Sequence, residues 1–135
     1  MQLQAITPPG WQPGRGYQHA VVVEGARRLV FLAGQVGSHA GSSDRVLSDD
    51  IATQFDQALL NFKTALEAAG GRPENLTSMH VYVTDVAAYR RNLKAIGAAW
   101  QRHCGLTFPA MTLVGVTALF TDGAMVEIEG TAALD

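Results

Sequence analysis

A single cysteine in 135 residues leaves no partner for an internal disulfide, and Cys104 has no CxxC or Cys/His companion at metal-ligand spacing. It reads as a free structural thiol in a reducing compartment. Basic charge is scarce as well. Ten Lys and Arg face twelve Asp and Glu, a formal charge of −2, so there is no surplus of cations to neutralise a phosphate backbone, and nucleic acid is not an expected partner. No segment approaches the roughly eighteen consecutive apolar residues of a membrane span, and the start, Met1 to Pro9, lacks a basic region followed by an apolar run. The expectation is a soluble, cytoplasmic protein with no membrane contact. Other absences remove chemistries. There is no GxSxG elbow for a nucleophilic serine and no phosphate loop, and His19, His80 and His103 never reach ligand spacing with one another or with a cysteine, so no metal is expected.

What is present suits one core. An apolar share of 47% is ample for a single domain over residues 1–135, with a Gly- and Pro-rich N-terminal arm over 1–16. His19 to Val23 and Leu29 to Ala33 are two strand-like runs, and Gly25 in the link predicts a tight hairpin between them. A Gly, Ser and Asp rich loop over 37–47 leads to Ser48-Asp49-Asp50, a helix start. From there Ile51, Phe55, Ala58, Leu59, Phe62, Ala65, Leu66 and Ala69 recur at three and four residue intervals until Gly70-Gly71 ends the pattern. A strand is predicted over Leu76 to Thr84. A second amphipathic helix follows through Val86, Tyr89, Leu93, Ile96 and Trp100, with Gly105 beyond its end. Ala110 to Ala118 and Met125 to Ala132 read as the closing strands, linked by a turn around Asp122-Gly123.

The order is ββαβαββ, and two helices of four to five turns cannot cover both faces of such a sheet. The fold expected is therefore an α+β sandwich with both helices packed on one face. Met111, Leu113 and Gly115 on one side of the fourth strand, and Thr112, Val114 and Val116 on the other, make it apolar on both faces. Exposing one of them to water is costly, so a symmetric oligomer that buries the sheets is expected, the alternative being a loop that covers the face.

One set of residues goes beyond periodicity. Gly16-Tyr17-Gln18-His19-Ala20-Val21 leads to Leu29 through Ala33-Gly34-Gln35, then Gln54, Val81-Tyr82-Val83-Thr84-Asp85, Tyr89, Asn92, Phe108-Pro109-Ala110 and Val126-Glu127-Ile128-Glu129. In order and spacing, from about residue 15 to the C-terminus, this resembles the Rid (YjgF) family. The resemblance implies a fold similar to chorismate mutase of the Bacillus type: a homotrimer whose sheets form a central β-barrel, with small-molecule pockets at the subunit interfaces.

It also implies hydrolysis of imines and enamines without any cofactor. In that chemistry an arginine pairs with the substrate carboxylate, and a glutamate orients the attacking water. By position, Glu127 is the water-orienting catalytic carboxylate, Tyr17 flanks the pocket, Gly34 and Gln35 contribute to substrate binding, and Asn92 supports the helix beside the interface. The arginine's position is Met111, which can neither donate a hydrogen bond nor carry charge. Ala33 replaces a serine common before Gly-Gln, and two extra residues separate Asn92 from Pro109. These departures resemble the subgroups that lack the arginine. The reading is a divergent hydrolase or deaminase for a C–N substrate, with a metabolite such as a carboxylic acid as ligand. The alternative is a non-catalytic small-ligand-binding or regulatory trimer. The ribonuclease activity attached to some family names finds no basic surface here.

Overall fold

A computed structural model describes residues 1–42 and 44–135; Ser43, in the loop predicted over 37–47, lies outside the described residues. Among the described residues, six strands and three α-helices follow one another as β1 (Gln2–Ile6), β2 (Ala20–Glu24), β3 (Arg28–Val36), α1 (Ile51–Ala68), β4 (Leu76–Val83), α2 (Val86–Arg91), α3 (Leu93–Cys104), β5 (Ala110–Gly115) and β6 (Val126–Leu134). The main sheet has the order β3-β6-β4-β5, with β4 and β5 parallel and the other pairs antiparallel. The architecture is the α+β, chorismate-mutase-like one, with the helices on one face.

Helix α1 forms as its spacing predicts. Asp50 caps it by accepting a hydrogen bond from Thr53 N at 2.9 Å, while Ser48 instead holds the backbone N–H of Asp50. The cap holds the Asp50 carboxyl below its ordinary range, chiefly through the Thr53 backbone N–H. Gly70, at φ +86°, supplies the left-handed residue that ends the helix. Phe55, Leu59, Phe62 and Leu66 face Met79, Val81, Val126 and Ile128 in one buried cluster. Gly130 makes that contact possible: a Cβ there would stand 2.5 Å from Ser78 O and 3.1 Å from Phe62 Cζ. Helix α3 packs beside α1 and is pinned to it from outside, where Asp56 Oδ1 takes His103 Nε2 at 2.7 Å and Arg102 at 3.0 Å. Partial burial works against the Asp56 charge, but the His103 and Arg102 bonds outweigh it and hold the carboxyl below its ordinary range.

Three local expectations change. The arm contains a strand: Gln2-Leu3-Gln4-Ala5-Ile6 alternates briefly before Pro8-Pro9, and β1 pairs antiparallel with β2 as a separate ribbon. The hairpin expected between residues 19–23 and 29–33 is therefore absent as a paired unit. Gly25 makes the turn at φ +73°, but Arg27 N then bonds Leu134 O, and the chain takes β6 as its partner. The second helix is two helices. Asn92, at φ −111° and ψ 16°, turns its side chain back to Ala88 O at 2.8 Å, and that local bond competes with helix propagation.

The face away from the helices carries Glu127, Glu129, Tyr82 and His80, with Leu29 and Phe31 on edge strand β3 left 64% and 77% exposed. No helix among the described residues is long and apolar enough to cross a membrane.

Candidate functional site

An apolar hollow is bounded by the sheet edge and by α2 and α3. Along α3, Leu93, Ile96, Gly97 and Trp100 recur at the spacing that puts them on one helix face, and they look across at Val81, Met111 and Leu113. Register explains the opposite wall, because Met79 pairs with Met111 and Val81 with Leu113, so both β5 residues point to the helix side. Phe55, Tyr89 and Phe108 complete the apolar lining of a cavity of about 420 Å³, and Arg15-Gly16-Tyr17 borders it.

Aromatic contacts fix these walls. Trp100 and Phe108 stack with centroids 5.4 Å apart and planes 10° apart, and Trp100 Nε1 donates to Thr107 O at 3.1 Å. Phe55 meets Tyr89 edge-on at 6.1 Å. Burial pushes the Tyr89 phenol up to about 12, so it stays neutral, and it pushes the buried Cys104 thiol up to about 12 as well. Cys104 is accordingly an inert packing residue rather than a nucleophile.

Tyr17 and Met111 thus line the same hollow. The other candidates do not join them within one chain. Tyr82 and Glu127 are register partners, one row away from the Val81–Ile128 pair, so Glu127 points to the face opposite Met111. There its carboxylate lies over Gly34, where a Cβ would collide with Oε1. Gly34 stands at the bulge where β3 gains a residue against β6, between the Leu32–Gly130 and Gln35–Ile128 pairs. Gln35 faces the helix side of the same edge, in a shallower hollow with Asn61 and Gln57, and its side chain reaches Ala33 O at 3.4 Å. Asn92 forms the α2–α3 joint between the pocket residues Tyr89 and Leu93.

The Glu127 side chain is half-buried and has no hydrogen bond or ion pair to any described residue. Its neighbour Glu129 is committed: Tyr82 donates its hydroxyl to Glu129 Oε1, and His80 Nδ1 stands 3.7 Å from the same oxygen. That bond, then desolvation and the charges of Glu129 and Glu127, raise the Tyr82 phenol above its usual range.

Two features escaped the sequence reading. Trp100 and Tyr89 lie at the three and four residue spacing that also marks an ordinary core face, so pattern alone cannot tell a packed wall from an open one. Arg15 sits in a Gly- and Pro-rich arm without periodicity; its only signal is its place between two glycines beside Tyr17.

The family model for Endoribonuclease L-PSP matches residues 10–134. The chain is 29% identical over 116 residues to a human 2-iminobutanoate/2-iminopropanoate deaminase, covering 86% of this chain and 78% of that protein. It is 31% identical over 123 residues to a RutC family protein of Aquifex aeolicus, covering 91% and 92%. Among solved structures it is similar to YyfB, a protein of the conserved Rid family from Yersinia pestis, with a TM-score of 0.83 and 30% identity over 99% of this chain and all of that one. A match across nearly the whole chain, carried by both sequence and fold, places this protein in the Rid (YjgF) family.

Proposed function

We propose that the chain is the subunit of a homotrimeric, cofactor-free hydrolase that cleaves an imine, or the imine tautomer of an enamine, carrying a large apolar substituent. Water adds to the imine carbon, the carbinolamine collapses, and a carbonyl compound and ammonia leave. The observation that carries this reading is the Glu127 carboxylate: half-buried, without a partner among the described residues, and seated where Gly34 leaves room for it. A carboxylate so placed is free to accept a hydrogen bond from a water and orient its attack. The human relative's name gives the same reaction type for small iminoacids.

Assembly is part of the proposal because Met111 and Glu127 occupy opposite faces of one sheet. A site that uses both takes the apolar hollow from one subunit and Glu127 from its neighbour, and the exposed Leu29 and Phe31 on the Glu127 face give that neighbour an apolar surface to cover.

The wall around Met111 favours a bulky substrate. Imines generated from leucine or phenylalanine by an amino-acid oxidase should be hydrolysed roughly ten-fold or more faster than 2-iminopropanoate, since each apolar increment seated in such a wall is worth about 1–3 kcal/mol. Ammonia release in competition with semicarbazide trapping measures this. Equal rates would remove the assignment to large substrates. No acceleration of any imine would leave the non-catalytic binding trimer as the better reading.

A further inference from the structure

Arg15 is the one charged side chain on the wall of the apolar hollow among the described residues, and it makes no ion pair or hydrogen bond to any of them. Its position is built rather than incidental. Gly16 adopts φ +73°, a conformation that favours glycine, and at Gly14 a Cβ would collide with the Tyr17 carbonyl oxygen and ring, so the turn lies tightly against Tyr17. Immediately afterwards Gln18 N donates to Pro109 O at 2.9 Å and Gln18 bridges to Ala110, which fastens the segment to the start of β5 beside Phe108 and Met111.

An unpaired arginine bordering the same hollow as two stacked aromatic rings brings together two elements of recognition. The guanidinium offers a planar fork of donors suited to a carboxylate, and the rings offer an apolar slot for a flat body. We infer that this hollow binds a flat aromatic monocarboxylate, with the carboxylate held by Arg15 and the ring seated against the Trp100–Phe108 wall. The anchor thus comes from the N-terminal arm rather than from β5, where Met111 offers no charge. This rests on the reading of the hollow as the substrate pocket, and it specifies the substrate as an aromatic iminoacid, with an aromatic oxoacid as the matching product.

Calorimetric titration with phenylacetate and its neutral isostere phenylacetamide tests the inference without any turnover. Wild-type protein should bind phenylacetate at least about ten-fold more tightly than phenylacetamide, the ratio expected for one charge-assisted pair. Propionate, which keeps the charge and loses the ring, should bind at least about ten-fold more weakly than phenylacetate. Arg15→Met should abolish the preference for the acid while leaving phenylacetamide binding unchanged. Arg15 is exposed and unpaired, so that variant should fold as the wild type does.

Gly97→Leu is the second variant. Gly97 lines the hollow and a Cβ there meets nothing within 4 Å, so leucine should fill the space without disturbing α3, and binding of both probes should be lost. Equal affinity for acid and amide in the wild type, an acid preference that survives Arg15→Met, or no binding of either probe at millimolar concentration would each overturn the inference. The outcomes remain separable from the hydrolase reading. Binding as described, with no acceleration of any imine, would sink only the hydrolase reading. An active hydrolase whose Arg15→Met variant keeps its acid preference would sink only the anchor.

Discussion

Glu127→Gln should lower the rate of imine hydrolysis by about 10²- to 10⁴-fold, the range over which a positioned general base acts. The amide keeps the shape of the side chain but loses the negative charge and nearly all proton-accepting strength. Stability should change little, because the wild-type carboxylate makes no bond to a described residue that the amide would forfeit. Removing one of two neighbouring negative charges, with Glu129 two residues along the same strand face, also relieves repulsion. Gly34→Ala offers an independent route to the same end. Its methyl group would land on the Glu127 carboxylate, and since that is the far end of a flexible side chain, the carboxylate should swing aside and turnover should fall with all charges retained. Turnover unchanged in Glu127→Gln would make the glutamate structural.

The largest effect on stability is expected at Gln54. This side chain is 1% exposed, in the first turn of α1 between the buried Ile51 and Phe55, and it satisfies three backbone groups at once. Its Nε2 donates to Ser48 O at 2.7 Å and to Gly123 O at 2.9 Å, and its Oε1 accepts from Met125 N at 2.7 Å. It therefore ties the approach to α1 and the turn before β6 to the helix. Gly37 presses on it from the other side, since a Cβ there would stand 2.7 Å from Gln54 Cα. Gln54→Met keeps the volume and leaves these three backbone groups without partners, at about 1–3 kcal/mol each, so a total of about 3–9 kcal/mol is expected. Against a whole-protein stability of about 5–15 kcal/mol, that is a large fraction. Urea unfolding measures it, and a loss below about 1 kcal/mol would show that water or relaxation of the loops replaces the amide. The same variant bears on the site, because Met125 leads directly into the strand that carries Glu127.

Gln54 also shows what sequence can and cannot carry. Its place in a helix was legible from the spacing of Ile51, Phe55, Ala58 and Leu59, and its membership of a family pattern was legible from order. That it bonds Gly123 and Met125, some seventy positions away, follows only from tertiary placement. Strand β1 was hidden because five alternating residues run straight into a proline pair. The break at Asn92 was hidden because Tyr89, Leu93 and Ile96 keep the helical period across it. At the site, the alternation that sets Met111 with Leu113 and Glu127 with Glu129 could be read from each strand alone. Which face each pair shares could not, because that depends on the register of β5 and β6 against β4. Arg15 lay in a stretch whose only visible property was its glycine content.

The central claim is that one substrate site draws its pocket from one subunit and its carboxylate from the next. Co-expression of Glu127→Gln with Gly97→Leu tests it most directly, since each variant alone is expected to be inactive. If the site is shared, subunits that mix at random restore the intact combination at about a quarter of the interfaces, and the mixture should show about a quarter of wild-type turnover. If pocket and carboxylate act within one chain, every subunit carries one defect. A mixture as inactive as its parents, with the subunits shown to exchange, would contradict the account.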